Sequence, residues 1–225
     1  QIDQSLASGI NFIDTAEMYP TCPLREETTG DTEVIIGNWI EKNKSKRADF
    51  VLATKISGKG YKAVRNGEGI DEKSIKIAIE GSLKKLKTDY IDLYQLHWPN
   101  RGSYHFRQNW NYNPTNQDTE IAKDNINGVL NSLSDLQKEG KIRHIGLSNE
   151  TCWGTSQFLD QLKNFSNLII ASIQNEYSLL CRLYDLDMAE MSHHENISLL
   201  SYSPLAGGFL TGKYINDNVP DNSRL

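Results

Sequence analysis

The sequence predicts an α/β protein assembled from consecutive parallel βαβ units, and three observations predict it. Strand-length apolar runs and amphipathic helical patterns alternate about six times along the 225 residues. Two connections from strand to helix are long, at 15–30 and 98–124, whereas reverse connections such as 139–141 are short. Each strand-length run then gives way to a polar residue that a strand buried on both faces would avoid: Asp14, Lys55, His97, Ser148 with Asn149, Gln174 and Tyr202. Long loops and polar strand ends on one side suit a (β/α)8 barrel, which keeps its chemistry on its C-terminal face. A doubly wound open sheet produces the same alternation, and the pattern alone leaves both open.

The elements follow in order. Ile2 and Leu6 mark a first helix, and a strand runs over 10–13. Val34, Ile35, Trp39 and Ile40 suggest a helix near 31–43, followed by a strand at 50–54. Ile75, Ile79, Leu83 and Leu86 recur at steps of four and three behind Asp71, which reads as an N-cap. A strand at 90–96 follows. Ile126, Val129, Leu130, Leu133 and Leu136 mark one helix face, which Gly140 would end. After a strand at 144–147, Thr151 reads as the cap of a helix carrying Trp153, Phe158, Leu159 and Leu162. Strands at 168–173 and 197–202 flank a short helix over 185–194.

Composition removes several function classes. Lys+Arg number 24 and Asp+Glu 29, a net charge of −5 with no footprint for phosphate backbones or anionic lipid. No apolar run approaches the ~20 residues of a membrane-spanning helix. Cys22, Cys152 and Cys181 are far apart and lack zinc or CxxC spacing, so neither a disulfide framework nor a metal centre is expected. No leader-like pattern is legible, and a reduced, cytoplasmic setting is the expectation.

Singly, the polar strand ends are weak signals: an Asp there can be a cap, a Lys a solvated loop residue, and His97 a satisfied structural histidine. Together they would converge on one mouth. Asp14 and Lys55 beside Tyr19 and His97 form a mixed acid, base and donor cluster suited to proton transfer to a carbonyl oxygen. With Glu17 as the one other acid near a strand end, paired carboxylates for glycoside hydrolysis are missing. His193, His194 and Glu195 read as a solvated helix face. Two phosphate motifs are near misses. Gly58-Lys-Gly60-Tyr-Lys-Ala63 fits GxGxxA, but Asn66-Gly-Glu-Gly69 interrupts it before a helix, so 58–69 reads as a flexible loop. Gly207-x4-Gly212-Lys213-Tyr214 lacks the Ser/Thr that would ligate Mg²⁺, yet supplies glycines, N–H groups and a cation after a strand.

Several ordered motifs resemble those of the aldo-keto reductases. They are Gly9-Ile-Asn-Phe-Ile-Asp14-Thr-Ala-Glu-Met-Tyr19, Leu52-Ala-Thr-Lys55, Leu93-Tyr-Gln-Leu-His97-Trp-Pro, Ile145-Gly-Leu-Ser148-Asn149, Gln174-Asn-Glu-Tyr177 and Tyr202-Ser-Pro-Leu-Ala-Gly-Gly-Phe-Leu-Thr-Gly-Lys213. The similarity covers essentially the whole chain and is strongest to the bacterial Tas-type subgroup. It implies a (β/α)8 TIM barrel that binds NADP(H) and reduces a small-molecule aldehyde or ketone. By match to the family motifs, Asp14, Tyr19, Lys55 and His97 would be the catalytic tetrad, with Tyr19, His97 and Trp98 meeting the substrate. Ser148, Asn149 and Gln174 would hold the nicotinamide carboxamide, and Tyr202 would stack on its ring. Ser203, Pro204, Leu205, Ala206, Gly207 and Lys213 would line the pyrophosphate, and Arg224 would meet the adenosine phosphate. Lys55 would lower the Tyr19 pKa toward neutrality, and Asp14 would hold Lys55 charged.

The aromatics Trp98, Tyr104, His105, Phe106, Trp110 and Tyr112 would either wall the substrate pocket or pack their loop onto the barrel. The resemblance further implies one oxidoreductase domain over 1–225, incomplete at both ends, with about six βα units present. A regulatory protein on the same fold, sensing redox state through bound NADP(H), is the alternative. The presence of all four tetrad residues favours the enzyme.

Overall fold

The computed structural model describes residues 1–217 and 219–223 and contains six strands in a single parallel sheet. They are β1 (Phe12–Asp14), β2 (Val51–Ile56), β3 (Ile91–Leu96), β4 (Ile142–Ser148), β5 (Ile170–Glu176) and β6 (Ser198–Tyr202). Their order across the sheet is their order in sequence, and every neighbouring pair is parallel. A doubly wound sheet reverses its order at a switch point. This one does not, so right-handed crossovers bring all the connecting helices to one face. The result is a curled half-barrel, and it decides between the two architectures the sequence left open.

Among the described residues six α-helices accompany the strands: α1 (Ile2–Ala7), α2 (Asp31–Lys42), α3 (Glu72–Leu86), α4 (Thr119–Lys138), α5 (Cys152–Leu162) and α6 (Met188–His194). The predicted caps are in place. The Asp71 side chain accepts from the Ser74 N–H while Ser74 Oγ accepts from the Asp71 N–H, closing a capping box on α3. Thr151 Oγ1 accepts from the Gly154 N–H at the start of α5, and Gly140, at φ +75°, follows the end of α4. The last helix starts at Met188 rather than 185, because residues Leu183–Asp185 form a separate 3-10 turn and Asp187 (φ −141°) breaks continuity.

The two faces of the sheet differ in kind. On the helix side, Leu52, Ile56, Tyr94, Leu96, Ile145, Leu147 and Ile173 pack against Ile75, Ile79, Leu130 and Leu133, all buried. This is the hydrophobic core. On the concave side, one register row reads Lys55, Gln95, Gly146, Ser172, Ser198 across five strands. The row is polar or small throughout. A Cβ at Gly146 would sit 2.9 Å from Ser172 Oγ and 3.1 Å from Gln95 Cγ, so glycine is what lets these side chains meet. The alternation puts this polar row inward together with Ala53 and Leu93, whereas Thr54 and Asp92 lie among the apolar residues of the helix side. Among the described residues no helix is long and apolar enough to cross a membrane.

Helices α2 and α3 approach unusually closely. A Cβ at Gly37 would lie 1.9 Å from the Lys85 carbonyl oxygen and 2.8 Å from Leu86 Cα. The Gly37→Ala variant must therefore push α2 off α3, at a cost of roughly 1–3 kcal/mol for overpacking. Denaturant unfolding should show a lower midpoint with an unchanged slope, and an unshifted midpoint would show that the two helices are free to separate.

Candidate active site

The C-terminal ends of β1, β2 and β3 place three of the four tetrad candidates side by side. Asp14 ends β1, Lys55 is the penultimate residue of β2, and His97 follows β3. Lys55 is fully buried. Its Nζ donates to Asp14 Oδ2 at 2.5 Å and to the Thr15 carbonyl at 2.8 Å. Gln95, two residues before His97 on the same face of β3, donates from Nε2 to Asp14 Oδ1 at 2.8 Å. Tyr19 reaches in from the long loop after β1. Its hydroxyl lies 3.5 Å from His97 Nε2, and Lys55 Nζ lies 4.9 Å from the centre of its ring.

Burial dominates the electrostatics here. It holds Lys55 below its usual range despite the opposing Asp14 carboxylate. It holds His97 well below 6.5, helped by the Lys55 charge, so the imidazole is neutral near pH 7. Burial and then the Asp14 carboxylate push the Tyr19 phenol up to about 12. This corrects the expectation that Lys55 acidifies Tyr19. The Lys55 charge is matched by a carboxylate at 2.5 Å, so little net positive field remains at the phenol, and desolvation wins.

The surrounding loops are tied down. The 58–69 loop, expected to be flexible, is clamped by Glu17: this buried carboxylate accepts from the Ser57 N–H and pairs with the half-buried Arg65. Gly60 N–H donates to the Gly67 carbonyl at 3.0 Å, and Trp98 Nε1 donates to the Lys59 carbonyl at 3.1 Å. The anchoring group sits some 40 residues earlier in the chain, which is why local composition alone suggested mobility. In the next loop, Arg101 pairs with Glu150, Ser103 Oγ donates to the Asn149 carbonyl, and His105 Nε2 is 3.1 Å from the Glu150 carbonyl. Its aromatics divide between the two roles. Trp98 and Phe106 join Tyr19, Tyr61, His97 and Tyr202 around a cavity of about 700 Å³. Tyr104 packs on His105 and Tyr112, whereas Trp110 is 90% exposed and does neither.

The residues expected to meet a nicotinamide cluster beside that cavity. Ser148 Oγ donates to the Gln174 carbonyl at 2.9 Å, and Asn149, at φ +52°, donates from Nδ2 to the His97 carbonyl at 2.9 Å. The Tyr202 hydroxyl donates to Asn149 Oδ1 at 2.8 Å, fixing the ring at the cavity wall. The buried Gln174 amide has no side-chain partner among the described residues, leaving a donor and an acceptor for a carboxamide. Ser203, Pro204, Leu205, Gly207 and Lys213 line a second cavity of about 450 Å³. Ala206, at φ +49°, belongs to the same turn but not to that wall. Arg224 lies outside the described residues.

From the sequence, Glu17 was legible only as an acid near a strand end, and Gln95 and Arg65 carried no assigned role. A signal for Gln95 existed, since it is a polar residue in the middle of a strand buried on both faces. For the pairing of Glu17 with Arg65 there was none, because it joins two loops.

Residues 2–224 match the sequence profile of the aldo/keto reductase family. The chain is 42% identical over 227 residues to "Protein tas" of Escherichia coli (strain K12), covering 100% of this chain and 64% of that protein. It is 40% identical over 183 residues to an aldo-keto reductase of Babesia bovis, covering 77% of this chain and 64% of that protein. It is 29% identical over 228 residues to norsolorinic acid reductase B of Dothistroma septosporum, covering 98% of this chain and 50% of that protein. The chain thus spans 64% of the length of the first two of these relatives. A parallel half-barrel, a profile match along nearly the whole sequence and these identities place the chain in the aldo/keto reductase family.

Proposed function

We propose that the protein reduces an aldehyde or ketone to the alcohol with NADP(H), through Asp14, Tyr19, Lys55 and His97. The observation that carries this reading is the pairing of the Tyr19 hydroxyl with His97 Nε2 at one wall of a cavity, over a buried Lys55–Asp14 ion pair. Two relatives are named as reductases, the Babesia aldo-keto reductase and norsolorinic acid reductase B. The unengaged Gln174 amide, the fixed Tyr202 ring and the glycine-rich wall with Lys213 fit a nicotinamide dinucleotide. The preference for NADP(H) over NAD(H) rests on the resemblance, with Arg224 as the expected adenosine-phosphate residue. When bound, the reduced cofactor supplies a hydride for the carbonyl carbon.

This chain's residues do the rest. Neutral His97 orients the carbonyl oxygen through Nε2. Tyr19, protonated throughout the physiological range, gives its proton to that oxygen as negative charge develops. Lys55, its Nζ 4.9 Å from the Tyr19 ring centre, is the cation beside the phenolate that this transfer leaves, with its charge offset by Asp14. Asp14, held by Gln95 and Lys55, keeps that ammonium in place.

Removing the phenolic hydroxyl in Tyr19→Phe should lower kcat by on the order of 10²-fold or more. NADPH binding, followed by fluorescence titration, should persist. Near-normal turnover would remove Tyr19 from the mechanism.

The pH dependence follows from the two shifts. Tyr19 is a competent acid at every pH below about 12, and His97 stays neutral down to well below 6.5. The kcat/KM for reduction should therefore be flat from about pH 7 to about pH 9. A fall of half or more across that window, set by the phenol, would show Tyr19 to be acidified instead.

Losing a charge-assisted contact in Lys213→Ala should weaken NADPH binding by roughly 1.5–3 kcal/mol. An unchanged Kd would return 203–213 to the role of a connector.

A further inference from the structure

Charge in the Tyr19 cavity is one-sided. Among the described residues that line it, Lys59 is the single charged side chain, and none is acidic. The whole chain carries −5, so this is not a reflection of bulk composition. Lys59 makes no ion pair with any described residue. It also borders a neighbouring cavity of about 570 Å³ on the far side of Trp98, and the acids there are committed elsewhere. Asp71 caps α3, Asp118 caps α4 and Glu150 is paired with Arg101. The nearest carboxylates of the site itself are likewise engaged, Asp14 by Lys55 and Glu17 by Arg65.

Much of the remaining wall is aromatic, with Thr21, Asn100, Ser103 and Gln108 as neutral polar groups. Trp98 meets Phe106 edge to face with ring centres 5.9 Å apart, and it meets His97 at 4.9 Å. Tyr61 and Met18 line the same space. The indole N–H bonded to the Lys59 carbonyl fixes the aromatic wall relative to the lysine backbone. Phe106 and Arg107 are consecutive non-glycine residues at φ +57° and +62°. Backbone held in this sparsely populated region is retained where surrounding contacts over-determine it, commonly at ligand sites.

We propose that the preferred substrate is an anionic aromatic carbonyl compound, an aryl aldehyde or ketone bearing a carboxylate, with its ring against Trp98, Tyr61 and Phe106 and its carboxylate at Lys59. The inference rests on the reductase reading above. Its carbonyl π bond breaks as a C–H bond forms with the hydride electron pair and an O–H bond with the Tyr19 proton; NADPH is the reductant and the carboxylate is unchanged. An aromatic ring gains from the edge and face contacts of the wall. An anion in a cavity whose described lining holds no acid meets the Lys59 ammonium, which makes no ion pair with any described residue.

The test compares 4-formylbenzoate with its methyl ester, which keeps the ring and the carbonyl and removes the charge. The wild-type protein should show a kcat/KM ratio, acid over ester, of about ten or more, falling as salt rises. Lys59→Met should lower that ratio about tenfold, through KM, and Lys59→Arg should restore it. Calorimetric titration with benzoate and with benzamide gives a second readout. Benzoate should bind the wild type several-fold more tightly than benzamide, and Lys59→Met should abolish the difference. Equal kcat/KM for acid and ester in the wild type, or a ratio untouched by Lys59→Met, overturns the substrate assignment while leaving the reductase reading intact. Reduction of neither compound, nor of neutral aldehydes, by NADPH overturns the reductase reading and the assignment with it.

Discussion

A fully buried lysine is the constraint around which the site is organised. An ammonium taken out of water costs several kcal/mol unless it is paired and hydrogen-bonded. Here the compensation comes from Asp14 Oδ2 and the Thr15 carbonyl, both at the end of the neighbouring strand. Asp14 in turn is held from a third strand by Gln95. Three successive parallel strands in register therefore have to be present and aligned before Lys55 can be charged in place. Shifting one strand by a single residue would send its inward polar groups into the helix-side core. Strand pairing and the geometry of the candidate site are thus the same requirement.

The division between the two faces of the sheet follows from that requirement. Parallel strands are covered by helices, so the helix side carries an apolar core. The concave side holds Lys55, Gln95, Gly146, Ser172 and Ser198 in one row, and only small or paired polar groups fit there. At the opposite ends of the strands, charge serves a different purpose. Asp92 accepts from Arg47, Arg143 and the Leu52 N–H, and both guanidinium groups lie 4.0 Å from the Tyr90 ring centre. That cluster is saturated internally. The site at the C-terminal ends keeps unengaged groups facing a cavity, which is what separates a stabilising network from one able to bind.

Loops that a linear reading treats as connectors turn out to be structural parts of the site. The Glu17–Arg65 pair joins the loop carrying Tyr19 to the loop following Lys55, so the phenol and the ammonium are referenced to one another from two directions. Arg101, Ser103 and His105 do the same for the loop following His97, fastening it to the end of β4. Rigid placement of this kind fixes the phenol, pushed up to about 12, and the Lys55 ammonium 4.9 Å from its ring centre relative to one another.

The sequence by itself determined the six strand–helix alternations, the capping residues Asp71 and Thr151, and the identity of the polar strand ends, because each depends on local periodicity or on neighbours three or four residues away. It also placed Asp14, Tyr19, Lys55 and His97 as one cluster, since successive strand ends in a parallel unit converge. Tertiary structure alone decided the sequential strand order that makes a half-barrel of the alternation, the clamping of 58–69, and the start of α6 at Met188. It alone decided the acidity of Tyr19. A pKa is set by the sum of desolvation and every nearby charge, and the Asp14 carboxylate that cancels Lys55 acts across strands, where neither its distance nor the burial around it is written in the order of residues.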